Sequence, residues 1–168
     1  MKKRTERLAL MGLLLGIMLI VGYFEYLFPL PGREAGIRLG LSNAVLIFAV
    51  YMLGIKEAFV LMAAKSILSG ILFSGMQSLL YSLAGGLLSV IAMGLIERIP
   101  NVSILGVSVA GAFFFNVGQG IVVILQVPVL IMYLPIVFAV GIASGILTGV
   151  LARLVVQTIK KTQGRVYK

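Results

Sequence analysis

The chain has 168 residues, of which 61% are hydrophobic and 11% charged, and its mean hydropathy is +1.15. A soluble domain of that length cannot bury so much apolar surface, so hydrocarbon must solvate it and water-soluble fold classes drop out. The net charge of +9 sits mostly at the two ends, which suits membrane topology and not nucleic-acid binding, and the lack of cysteine excludes disulfides and thiol chemistry.

A helix crossing the hydrocarbon needs about 20 apolar residues, within a range of roughly 17 to 25. That length divides the chain into six spans, approximately Leu8–Phe28, Leu39–Gly54, Glu57–Phe73, Met76–Ile96, Val102–Leu125 and Leu134–Val156. The first follows Lys2, Lys3, Arg4 and Arg7 and ends in Phe-Pro, without the small-residue cleavage site of a signal peptide. The polar stretch PLPGREAGIRLGLSN comes next, and the short second span starts inside it. Its Gly32, Gly36 and Gly40 permit unusual turns, while Arg33 and Arg38 bring forks that match carboxylate or phosphate, on a solute or on lipid headgroups. Between the last two spans, Gln126–Tyr133 is apolar but broken by Pro128, and it reads as a loop packed on the helices. Barrel strands would alternate in polarity over about ten residues, and no such alternation occurs. The expected architecture is an all-α integral membrane protein, residues 1–168 forming one six-helix domain.

Positive charge orients the bundle. Lys2, Lys3, Arg4 and Arg7 stand before the first span; Arg153, Lys160, Lys161, Arg165 and Lys168 stand at the end of the last. Six spans put both termini on one side, expected to be cytoplasmic, with Lys56 and Arg98 in the other loops of that side. Arg33 and Arg38 then lie outside the cell.

Polar residues inside the spans crowd toward that outer side. At about 1.5 Å rise per residue, Glu25, Asn43, Lys65, Gln77, Tyr81, Asn116 and Gln119 all fall in the outer half. The inner half offers little beyond Ser89, Ser144 and Thr148. Ionisable groups in a bilayer cost several kcal/mol unless paired or facing a cavity, so the set describes a binding pocket open outward and closed below. Each member has a plainer use: Glu25 can snorkel, Lys65 can pair with Glu25, Asn43, Asn116 and Gln119 can bond between helices, and Gln77 and Tyr81 can anchor at the interface.

Small residues form a second pattern. Ala9, Gly12 and Gly16 mark the first helix, and Gly141, Gly145 and Gly149 repeat at the four-residue spacing on the last, a pattern that lets helix backbones approach closely. At about 100° per residue Glu25 points roughly 140° away from Gly12, so one side of this helix can serve the pocket while the other meets a partner. The absence of histidine, cysteine and aspartate removes serine triads, thiol or imidazole metal centres and aspartate-rich Mg²⁺ motifs. No G-x-x-x-x-G-K-[ST] loop is present, so ATP hydrolysis by that route would belong to partner subunits, and no cofactor is expected.

The segments YFEYLFPLPGREAGIRLGLSNAVLIFAVYMLG, SLLYSLAGGLLSVIAMGLIER and GAFFFNVGQGIVVILQ resemble the Gx transporter family, often described as heptaprenyl diphosphate synthase component I. That family lies within the wider group of energy-coupling factor (ECF) S components. GIRLGLSN and NVGQ are its most specific blocks, and Phe115-Asn116 stands where the resemblance leads one to expect His-Asn. The resemblance implies a six-helix S component of an ECF-type importer that captures a small nutrient or precursor, isoprenoid-, quinone- or flavin-related, near the outer face. It implies docking through Ala9, Gly12 and Gly16 onto a membrane coupling subunit that carries two cytoplasmic ATPases. The other class is an interaction protein: a non-catalytic membrane subunit of a prenyl diphosphate synthase or of an extracellular electron-transfer complex.

Overall fold

Three glycines set where the apolar runs turn. Gly40, Gly54 and Gly75 have φ of +71°, +106° and +80°, a backbone region that residues with a Cβ rarely enter. Gly40 leads into the second helix, Gly54 separates the second from the third, and Gly75 reverses the chain between the third and fourth. The computed structural model describes residues 2–27 and 40–163. The stretch 28–39, with Arg33 and Arg38, and residues 164–168 lie outside the described residues.

The described residues form helices α1 (Lys2–Leu27), α2 (Asn43–Met52), α3 (Ile55–Ser69), α4 (Gly75–Ile96), α5 (Ile104–Gln126) and α6 (Leu134–Gln163). Among the described residues four apolar runs are long enough to cross a membrane, and one of them, Ile55–Ile96, is 42 residues long. That run doubles back on itself. Ser66 meets Ser82 at 2.9 Å, and the Cβ positions of Gly70 and Gly86 face Leu79 and Met62, so residue pairs close symmetrically around Ser74–Gly75. A π-helical turn, Gly70–Ser74, finishes α3 just before that reversal. The segment Pro128–Tyr133, expected as a loop packed on the helices, is a 3-10 helix that lies against α5 and α6. Pro128 starts it without needing an N–H donor, and Val129, Ile131 and Met132 stand exposed.

Successive helices run antiparallel. Ser108 of α5 bonds the Gly145 carbonyl and Thr148 of α6, at 2.8 and 3.1 Å, and Gly141 lies against Asn116. At the amino-terminal end of α1, called the lower end here, Arg7 donates to the Leu53 carbonyl at 2.6 Å and pairs with Glu57 at 3.2 Å. Those bonds hold α1 beside the α2–α3 turn. The apolar core fills the lower half: Leu46, Ile47 and Val50 of α2 meet Leu61 and Met62 of α3, Val90 and Met93 of α4 and Val107 of α5, with Leu14 and Met18 of α1 closing one side. The outward faces are apolar as well, with Leu8, Leu13, Ile20 and Phe24 of α1 and Ile146, Leu147 and Leu154 of α6 exposed. An apolar exterior around an apolar core is the pattern of a helix bundle solvated by lipid.

Candidate functional site

Above that core, the upper ends of the helices turn polar side chains inward. On α1, Leu14, Met18 and Glu25 are buried at helical spacing, so the carboxylate shares the face that packs on the bundle. Glu25 Oε1 accepts the backbone N–H of Gly40 at 2.5 Å and ties the top of α1 to the start of α2. Lys65 of α3 is buried too, and its Cε lies 3.6 Å from where a Cβ on Gly22 would stand, one turn below Glu25 on the same α1 face. The ring of Phe73 bridges Tyr23 and Tyr26, with centroids 5.4 and 5.7 Å away, and closes α1 against the top of α3.

A charge-assisted bond to a buried backbone N–H is worth about 1.5–3 kcal/mol. Glu25→Ala should therefore lower the melting temperature of the purified protein, followed by circular dichroism, by roughly 4–10 °C. Glu25→Gln keeps an acceptor and should recover part of that loss. An alanine variant as stable as the parent would show that the carboxylate does not hold Gly40.

The second group gathers around Phe115. Its ring edge lies about as close to Gly40 as ordinary packing allows, 3.4 Å from a built Cβ, and its other edge faces Gly85 of α4. Asn43 opens α2 beside Gly40; Asn116 and Gln119 follow Phe115 on α5, Asn116 against Gly141 of α6 and Gln119 against Gly85. Asn43, Asn116 and Gln119 are 5%, 1% and 2% exposed. They do not bond one helix to another through the atoms that matter here. Asn116 Nδ2 donates to Ala112 in its own helix at 2.8 Å, and Asn116 Oδ1, Asn43 Nδ2 and both amide atoms of Gln119 have no hydrogen-bond partner. Ser89 Oγ, lower on α4, is the remaining unpaired buried side-chain atom among the described residues. Native proteins pair nearly all such atoms, which makes these amides the candidates for bonds to a group from outside the chain.

Gln77 and Tyr81 are used differently. The Tyr81 hydroxyl and Gln77 Nε2 both donate to Gln126 Oε1, at 2.7 and 2.6 Å, which fastens the top of α4 to the end of α5. Gln126 had no signal in the sequence beyond its polarity at a span end. The residues expected to dock a partner, Ala9, Gly12 and Gly16, stand apart from all of these. Ala9 and Gly12 are exposed, and a Cβ at Gly12 or Gly16 would meet nothing within 4 Å. By contrast Gly141, Gly145 and Gly149 face Asn116, Ala112 and Ser108 of α5, so the second small-residue stripe is consumed by internal packing. An apolar groove of about 580 Å³ runs along α5 from Ser103 to Phe114 and reaches Ile142 of α6; it touches none of the upper polar residues.

Comparison with known proteins places this geometry. The sequence-family model described as heptaprenyl diphosphate synthase component I matches residues 14–155. A solved structure described under the words "Structure and mechanism of the S component of a bacterial ECF transporter" superposes with a TM-score of 0.74 over 95% of this chain and 98% of that one. At 14% identity, that likeness is one of fold. No curated protein matches the chain.

Proposed function

We propose that this chain, which belongs to the heptaprenyl diphosphate synthase component I family, is a substrate-binding membrane subunit that captures a small molecule from outside the cell. The observation that carries this reading is the set of unpaired amide atoms of Asn43, Asn116 and Gln119, buried above a closed apolar core. The S-component fold of its structural neighbour supports the same role, in an importer of the ECF type. The lysines and arginines at both ends assign the lower end to the cytoplasm, which turns the polar end outward. Glu25, Lys65, Asn43, Asn116 and Gln119 line the site, Gln77 and Tyr81 hold its rim through Gln126, and Arg33 and Arg38 are assigned to ligand binding from the chemistry of their forks in the sequence. Residues 1–168 act as one six-span domain. The exposed Ala9–Gly12–Gly16 face meets a membrane coupling subunit, and two cytoplasmic ATPases on that subunit supply the energy. A nutrient or a precursor of isoprenoid, quinone or flavin type is the class of cargo.

In mechanism, the chain contributes affinity, orientation and movement, and no covalent step. The side chains of the site are buried, so each hydrogen bond to a ligand there is stronger than in water. The apolar core beneath it blocks onward passage, which means that release toward the cytoplasm requires the whole subunit, or its helices, to move. Native mass spectrometry of gently purified protein tests the reading. A retained small molecule, displaced when Asn116 and Asn43 are both changed to leucine, is the expected result; protein free of any solute, unaffected by those changes, would overturn it.

The family description favours one second reading, a non-catalytic membrane subunit of a prenyl diphosphate synthase. This chain has no aspartate with which to build an Mg²⁺-diphosphate motif, so catalysis would lie in the partner. Co-purification of such a partner with no small molecule in the upper site would select it.

A further inference from the structure

The unpaired atoms in the upper site differ in kind, and the difference restricts what binds there. Gln119 is 2% exposed and neither Nε2 nor Oε1 has a partner, so it presents a donor and an acceptor side by side in one plane. Exchanging the two amide atoms leaves that statement unchanged. Asn43 adds one free donor, Nδ2, and Asn116 adds one free acceptor, Oδ1, its own Nδ2 being fixed to the Ala112 carbonyl. The unpaired atoms shielded from solvent are thus two donors and two acceptors.

Charged ligands satisfy only half of them. A carboxylate or phosphate accepts from the two donors, leaves Gln119 Oε1 and Asn116 Oδ1 buried without a partner, and is repelled by both. An ammonium group fails for the opposite reason. A hydrocarbon chain leaves all four atoms unpaired, each at the full cost of burial. Glutamine and asparagine amides do bind well to one kind of edge, a planar group whose N–H and acceptor lie next to each other, through two parallel bonds.

Resting on the solute-capture role proposed above, we infer that the buried end of the ligand is a neutral ring lactam, imide or ureide. Its adjacent N–H and C=O pair with Gln119, while Asn43 donates to and Asn116 accepts from the remaining polar atoms of the ring. Phe115 precedes Gln119 by one helical turn and packs against Gly40 and Gly85, so an apolar ring stands beside that amide. A phosphorylated or hydrophobic end of the ligand, where it has one, points elsewhere.

The probes are three matched pairs: 1-methyluracil with 1,3-dimethyluracil, 2-pyridone with N-methyl-2-pyridone, and phthalimide with N-methylphthalimide. Each pair differs in the ring N–H alone. Saturation-transfer NMR on the full-length protein in lipid nanodiscs should show binding of at least one N–H compound and its loss on N-methylation. Gln119→Leu should erase that discrimination. It should leave the melting temperature of the unliganded protein equal or higher, because the change removes two unpaired polar atoms. Binding that ignores N-methylation overturns the inference, as does failure of all three N–H compounds to bind. The solute-capture reading survives either result if native mass spectrometry still finds a retained molecule lacking such an edge, and falls with it if no molecule is retained. The N-methyl comparison is made on the unaltered chain, so it decides the matter even where a variant fails to fold.

Discussion

Gly118→Ala should lower the melting temperature of the purified protein by roughly 6–12 °C, and Gly118→Leu should prevent the bundle from assembling. A Cβ on Gly118 would stand 2.5 Å from the Ala84 carbonyl oxygen and 2.7 Å from the Gly85 Cα. Both atoms belong to the α4 backbone, so no rotamer change can make room and the two helices must separate by about an ångström. Gly85 approaches α5 in the same way, its Cβ position lying 2.7 Å from the Phe115 carbonyl oxygen. The α4–α5 seam is therefore backbone against backbone over one turn, and the separation would loosen packing along both helices. Overpacking of this kind costs about 1–3 kcal/mol, and more where backbone is struck. Circular dichroism suits the measurement, because the chain has neither tryptophan for intrinsic fluorescence nor cysteine for thiol dyes. Gly12→Ala is the control: a Cβ there meets nothing within 4 Å, and stability should be unchanged. Equal stability of the Gly118→Ala variant and the parent would show that α4 and α5 do not meet at this point.

The same comparison shows which parts of the fold hydropathy can reveal. Long apolar runs give the all-helical class because lipid forces every backbone group to be paired within its own segment. Conspicuous residues such as Glu25, Lys65 and Gln119 stand out for the same reason, and all three are buried in the bundle. Contacts that depend on helix rotation or on relative depth leave no such trace. The stripes at Gly12–Gly16 and Gly141–Gly149 have the same spacing, yet one is open and the other packed on α5. Arg7 reads in the sequence only as one of the charges that orient the bundle, until the α2–α3 turn is seen to present the Leu53 carbonyl and Glu57 to it. Pro128 disfavours an α-helix but not a 3-10 turn, which is what Pro128–Tyr133 becomes. Ser66 and Ser82 carry no signal in two apolar helices, and only the hairpin brings their hydroxyls together. Arg33 and Arg38, assigned to the site from the chemistry of their forks, lie outside the described residues, so the geometry argued above rests on the helices.

Replacing Gly12 and Gly16 together by leucine should abolish association with a coupling subunit and leave both folding and solute binding intact. The buried side of α1 runs through Leu14, Met18, Gly22 and Glu25, and the exposed side through Leu8, Ala9, Gly12, Leu13, Ile20 and Phe24. Those two sides face opposite directions, at about 100° per residue. Lipid is as apolar as leucine, so hydrophobicity alone gives the exposed side no reason to prefer a protein partner. Shape can: a groove floored by two glycines lets another helix approach closely, with the added dispersion and backbone contacts that hold membrane helices together. Two leucine side chains would fill that groove, and each starts from a Cβ position that meets nothing within 4 Å in this chain. The pull-down of the tagged chain with a coupling subunit and its ATPases should fall from stoichiometric to background, while the melting temperature stays within about 2 °C of the parent, as for surface substitutions that cost little. Retained assembly would place the coupling contact elsewhere, the exposed face of α6 being the next apolar surface to test. Lost assembly together with lost stability would mean instead that α1 needs those glycines for its own packing, against the open space the structure shows around them.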